Sequence, residues 1–161
     1  MAFLVVSAVI LCWFSVSLAA PLACEELIRP LDQLQPHRLV GRWALVAGGL
    51  THLPSLEKFK QRDSASIHFS SNASETSLTY TRSLCLGNKS LHTTFNISLE
   101  GSSFTYDGTD KSNVSSSFIH TSCHDCLLMR MNVESGKRVH LYLFSRRRRL
   151  QQEEMEEFQA Q

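Results

Sequence analysis

The side chains here whose spacing could do chemistry are cysteines and histidines. Cys123-His124-Asp125-Cys126, with His120 three residues upstream, puts two thiols and two imidazoles into one short segment. Thiolates and imidazoles are zinc ligands, but a structural zinc site draws four of them, usually from two paired motifs, and the chain holds a single C-x-x-C. A redox-active pair needs a helix N-terminus or a similar field to lower one thiol's pKa. The apolar strand pattern after Cys126 offers none. The segment is therefore read as disulfide chemistry, local or across the chain, with no metal and no cofactor. No Ser-His-Asp motif context and no Gly-rich phosphate loop is present, and the seven histidines are scattered. No catalytic residue is assigned and the chain reads as a binder rather than an enzyme.

A disulfide needs an oxidising compartment, and the first residues supply the route. Met1 to Ala20 is almost continuously apolar through Leu18 and ends in the small residues Ser17, Ala19 and Ala20 before a polar, Pro-containing segment. That pattern is a secretory signal peptide cleaved near Ala19 or Ala20, in preference to a membrane anchor. Residues 21–161 then form one domain, and no later stretch is long and apolar enough to span a bilayer. Four Asn-x-Ser/Thr sequons, at Asn72, Asn88, Asn96 and Asn113, support export and a glycosylated surface. Cys12 leaves with the leader, and the remaining Cys24, Cys85, Cys123 and Cys126 allow three pairings, between which the sequence does not choose. A formal charge of +1 gives no reason to expect a nucleic-acid partner.

The elements that must position these groups centre on Val40 to Leu50, VGRWALVAGGL. Trp43, Leu45 and Ala47 alternate onto one face, which predicts a first strand whose tryptophan plugs the bottom of a barrel. Before it, Glu25 to Ile28 can make a turn of helix, with Pro30 and Pro36 stopping anything longer. After it, Leu53, Leu56 and Phe59 fall at helical spacing with Ser55 as cap, so His52 to Arg62 reads as a helical loop and a natural lid. The rest has period two with short turns: Ala65 to Phe69, Ser77 to Leu84, Leu91 to Leu99, Ser103 to Tyr106, Ser116 to Ser122, and a hairpin of Leu127 to Val133 with Lys137 to Phe144. Eight strands joined mostly by tight turns suit an all-β, antiparallel up-and-down barrel, and a two-sheet sandwich also accommodates them. The helical composition of Arg149 to Gln161 predicts a C-terminal helix, ending without a capping Gly or Pro as a truncated or alternative C-terminus does.

Alternation assigns an inward set of Leu45, Ile67, Phe69, Tyr80, Phe95, Ile97, Phe104, Tyr106, Phe118, His120, Met129 and Tyr142. In a barrel of this size such residues either fill the interior or line a cup for one small hydrophobic or amphipathic ligand, and both readings stay open. Asn96 falls on the opposite face from Phe95 and Ile97, so a sugar there would sit outside.

Gly41-Arg42-Trp43 followed by the strands and the helix resembles the lipocalins. Cys24 soon after the leader, Cys85 followed by the Asn88 sequon, Leu141-Tyr142-Leu143-Phe144 at the end of the hairpin, and Glu153 to Phe158 in the helix make the chain most similar to the branch of α1-acid glycoprotein and the fish plasma saxitoxin- and tetrodotoxin-binding proteins. The resemblance implies an eight-stranded cup packed by a helix, secreted into plasma to carry a small hydrophobic or amphipathic molecule. It implies that Trp43 closes the base beside Gly41 and that an arginine of the run Arg146 to Arg149, taken as Arg146, lies across it. The family's usual partners for cysteines like Cys24 and Cys85 lie in and after the C-terminal helix, and this chain ends before any such cysteine. Two alternatives accompany the carrier: a glycoprotein read by a cell-surface receptor with an incidental cavity, and a lipocalin-type isomerase, which needs an unpaired inward thiol that Cys85 alone could supply.

Overall fold

Residues 27–71, 77–107 and 113–161 are described by a computed structural model. The leader, Cys12, Cys24, Asn72 and the first two residues of the predicted helical turn, Glu25 and Glu26, lie outside the described residues. Eight antiparallel strands follow in order: β1 (Gly41–Leu50), β2 (Ser64–Ser71), β3 (Ser77–Leu86), β4 (Lys89–Glu100), β5 (Ser103–Tyr106), β6 (Val114–Ile119), β7 (Cys126–Val133) and β8 (Arg138–Ser145). Each pairs with its neighbour in sequence, and β1 also pairs with β8, so the sheet is a closed barrel rather than a sandwich. Closure leaves no free strand edge. Among the described residues, three helices with both ends described accompany it: α1 (Pro36–Leu39), α2 (Leu53–Lys60) and α3 (Gln152–Ala160).

The core is the inner face of this barrel. Ile67, Phe69, Leu78, Tyr80, Ile97, Phe104, Phe118 and Met129 are all buried in one cluster, as their alternation requires. A second cluster lies outside the barrel wall, where Met155 and Phe158 of α3 pack with Leu150 on Ile119, Leu128 and Leu143. The even-odd alternation of β6, β7 and β8 therefore separates two apolar faces, one into the barrel and one under the helix. Strands covered on both sides read as nearly continuous apolar runs, which is the pattern of Leu127 to Met129 and Leu141 to Phe144.

Three expectations are corrected. Ala47 does not share the face of Trp43 and Leu45, because the register of β1 against β8 shifts between Leu45 and Ala47. The extra residue, Val46, is a bulge that turns Ala47 out under α3 and brings Gly48 opposite Tyr142. Pro36 starts a helix rather than stopping one, since its fixed φ suits the first helical position, where no backbone donor is needed. In α2 the N-cap is His52, not Ser55; the Ser55 hydroxyl bonds the His52 ring at 2.9 Å instead.

Candidate functional site

The closed end of the barrel is built around Trp43. Its indole N–H donates to the Leu39 carbonyl at 2.8 Å, which ties the C-terminus of α1 to β1. Arg146, the first residue past β8, lays its guanidinium 4.2 Å from the Trp43 ring centroid. One nitrogen of that group donates to the carbonyls of Arg38 at 2.9 Å and Val40 at 2.8 Å. The cation thus covers the aromatic face and satisfies carbonyls left open at the end of α1. Gly41 makes room for it: its φ is +113°, and a Cβ there would stand 2.9 Å from an Arg146 nitrogen. Gly41, Trp43 and Arg146 are brought together here. Arg147 turns the other way, pairing with Glu154 of α3 at 2.6 Å and with Asp125 at 3.5 Å.

Residues 29–31 run across this end beside β6, with Leu31 N–H donating to the Phe118 carbonyl and His120 N–H to that of Arg29, both at 3.0 Å. That pairing corrects the reading of His120 as an inward residue. β6 stops at Ile119, and His120 lies beyond it in a loop at the closed end, where it lines an open groove of about 510 Å³ with Leu31, Leu34 and Arg38. Cys123 and Cys126 are bonded to each other in the same loop, with Cα atoms 5.2 Å apart. Their sulfurs serve the bridge, and His124 is exposed.

The other eleven residues assigned inward belong to the cluster that fills the barrel. Phe69, Tyr80, Ile97, Phe104, Tyr106, Phe118, Met129 and Tyr142 are buried with Ile67, while Leu45 and Phe95 are partly buried against them. Aromatic rings dominate the middle, with Phe104 5.3 Å from Phe118 and Phe95 5.2 Å from Tyr106. A small cavity of about 40 Å³ lies among them, bounded by Leu45, Ile67, Tyr80, Met129, Met131 and Tyr142 and by two residues not foreseen, Arg62 and Arg82. Above it sits the lid. The ring of Phe59, from α2, lies 5.9 Å from that of Tyr142. It occupies the space a side chain at position 48 would take, since a Cβ on Gly48 would fall 2.5 Å from the ring.

The open end carries the polar groups. The Tyr142 hydroxyl bonds Nδ1 of His140 at 3.1 Å and receives a hydrogen bond from Arg62. Burial raises the pKa of Tyr80, Tyr106 and Tyr142, so their hydroxyls stay protonated. Burial, then the nearby positive charge of Arg62, Arg138 and His52, lowers that of His140 and favours its neutral form. Arg82 and His140 were legible in principle: each stands two residues from an assigned tyrosine on the same strand, Tyr80 and Tyr142. Arg62 follows the lid helix, where alternation does not reach.

Cys85 is on the outer face of the barrel wall. It sits in register with Ser64 and Ser90, one residue past the inward Leu84, and its sulfur is 3.7 Å from the Ser90 hydroxyl. Hydrogen bonds from Ser64 and Ser90 lower its thiol pKa, but it does not open into the cup. Asn88, Asn96 and Asn113 are all exposed, with Asn88 in the β3–β4 turn and Asn96 facing away from the barrel interior.

No protein-family model matches the chain, and no curated protein matches it. Among solved structures it is similar to lipocalin 12 from rat epididymis, with a TM-score of 0.66 and 15% identity over 83% of this chain and 79% of that one. It is also similar to the siderocalin Ex-FABP, described as functioning through dual ligand specificities, with a TM-score of 0.61 and 12% identity over 76% of this chain and 79% of that one. The closed eight-stranded barrel with its C-terminal helix is the lipocalin fold.

Proposed function

We propose that the chain is a secreted, N-glycosylated carrier that binds one small hydrophobic or amphipathic molecule inside the barrel, in plasma or a comparable fluid. The observation that carries this reading is the wedge at the mouth. Gly48 leaves a space that the Phe59 ring fills, so the lid places an aromatic side chain over an apolar, aromatic-lined interior. Swinging that ring out opens the cup without disturbing a strand pair. The likeness of the sequence to the α1-acid glycoprotein branch supports the plasma setting, and the exposed Asn88, Asn96 and Asn113 suit glycans. Arg62, Phe59 and Tyr142 form the entrance, with Leu45, Tyr80 and Met129 beneath.

A second reading rests on the same numbers. An interior volume of about 40 Å³ holds about one water, so a receptor-read glycoprotein with a filled barrel fits the closed form equally well. Tryptophan emission and thermal melting of the secreted protein with steroids, fatty acids and amphipathic amines separate the two. A saturable signal with a raised melting point for any of them supports the carrier. A cooperative fold indifferent to the whole panel overturns it in favour of the interaction protein.

A further inference from the structure

Among the described residues, the interior near the mouth holds two arginines and no acid to meet them. Arg82 stands on β3 between the inward residues Tyr80 and Leu84, and Arg62 follows the lid helix; both border the same small cavity. Neither pairs with a carboxylate among the described residues. The Arg82 Nε is buried without a hydrogen-bond partner among them, and so is the Nε2 of His140. Arg62 is held by neutral groups, the Tyr142 hydroxyl and the face of Phe59 at 5.1 Å. Three described acids around the mouth are engaged elsewhere. Asp63 accepts from the Gly87 N–H, Asp107 from Ser98 at 3.0 Å, and Glu134 pairs with Arg138 at 3.1 Å.

A cation taken out of water is costly unless it meets a counter-charge and finds partners for its N–H groups. Here two guanidinium groups, a buried donor and a tyrosine hydroxyl converge on one place above an apolar floor. We propose that the ligand of this cup is an amphipathic anion, whose carboxylate or similar oxyanion is held by Arg82 and Arg62 while its hydrocarbon body occupies the space beneath Phe59. The assignment rests on the carrier reading and specifies its ligand class. Guanidinium is suited to it because its planar N–H fork meets two oxygens at once. An amine of the same shape meets two like charges, and an alcohol leaves both arginines without a counter-charge.

The test uses three probes with one hydrocarbon chain: dodecanoic acid, dodecanol and dodecylamine, each titrated near neutral pH into the full secreted protein. Hydrogen bonds to charged groups contribute enough for the acid to bind roughly tenfold or more tighter than the alcohol, with the amine weakest. In Arg82→Gln and in Arg62→Gln the ratio of acid to alcohol affinity falls toward one. Arg62 lies outside the sheet, so its variant carries the test if Arg82→Gln no longer melts cooperatively. Equal affinity for acid and alcohol, or preference for the amine, overturns the anion assignment while the carrier reading stands. No binding of any of the three probes overturns the anion assignment, and the carrier reading falls with it only if the steroids and the other members of the wider panel are ignored as well.

Discussion

Replacing Arg146 by alanine removes the clamp across the base of the barrel, and its cost can be worked from the contacts. The guanidinium stacks on Trp43 at 4.2 Å, worth about 0.5–1 kcal/mol at an exposed site. Its two bonds to the carbonyls of Arg38 and Val40 add about 0.5–1 kcal/mol each after allowance for solvent. The sum is about 2 kcal/mol, which in a domain of this size lowers the melting temperature by about 5–8 °C. Arg146→Lys keeps a charge near the ring but lacks the flat guanidinium face that stacks on the indole, and should lose about half as much or less. Arg148, exposed and in no ion pair among the described residues, is the control, with an expected change within about 0.5 kcal/mol. Thermal denaturation followed by Trp43 emission reads both stability and the environment of the ring. If Arg146→Ala melts with Arg148→Ala and leaves the emission unchanged, the clamp does not stabilise the fold.

Phe59→Ala should raise affinity for dodecanol several-fold, since the ring that fills the mouth is gone, while destabilising the protein by about 1–3 kcal/mol; titration and melting together check it, and unchanged affinity would mean that Phe59 is no barrier. Gly48→Ala should act in the same direction, because its Cβ displaces the ring; amide exchange in α2 should then quicken. Reducing the Cys123–Cys126 bridge, with a sequence separation of 3, should cost about 2 kcal/mol from the short loop it closes, and a melt in reductant that falls far more would show the bridge organising the whole base. Glu154 is held below the ordinary glutamate pKa by the Gln151 N–H and then by Arg147. Its contribution is therefore present above the ordinary glutamate value and lost as pH falls through the lowered one, so acid titration should loosen α3 late, and Glu154→Gln should remove that step.

Period-two alternation carried most of the fold and eleven of the inward residues, because a closed barrel makes inward and outward positions differ in kind. It failed where the pairing was broken by something outside the strand. Val46 inserts one residue into β1, and a single insertion reverses every later position, which is how Ala47 came to be placed inward. His120 continued the alternation of Phe118 on paper, yet the crossing of residues 29–31 ends β6 at Ile119. Sequence holds no local sign of a bridge between segments so far apart. Arg82 presents the opposite case. The alternation of Leu78 and Tyr80 placed it inward all along, but charge argues for solvent when strands are read singly. Only the convergence of Arg62, His140 and Tyr142 on the same place makes that burial intelligible.

The two ends of the barrel differ in how they are held, and the difference bears on how a ligand could enter. The base is fixed by Trp43, Arg146, a disulfide loop and the crossing chain, each bonded to backbone of another element. The mouth is closed by α2, which has no buried residue and leaves Leu53 67% exposed. A helix of 8 residues has little stability of its own, so the lid stays in place chiefly through Phe59 against Gly48 and Tyr142. Lifting it costs the contacts of one ring, whereas opening the barrel anywhere else breaks strand pairing. Entry therefore falls to the lid, and the chemistry there is coupled to it: Arg62 lies over Phe59 and bonds Tyr142, so when the ring leaves, the guanidinium loses its resting partners. An anion arriving at Arg82 offers Arg62 a replacement, and reclosure would bring the second cation onto the same oxyanion. Under this mechanism Arg62→Gln should speed release of dodecanoic acid more than it slows capture.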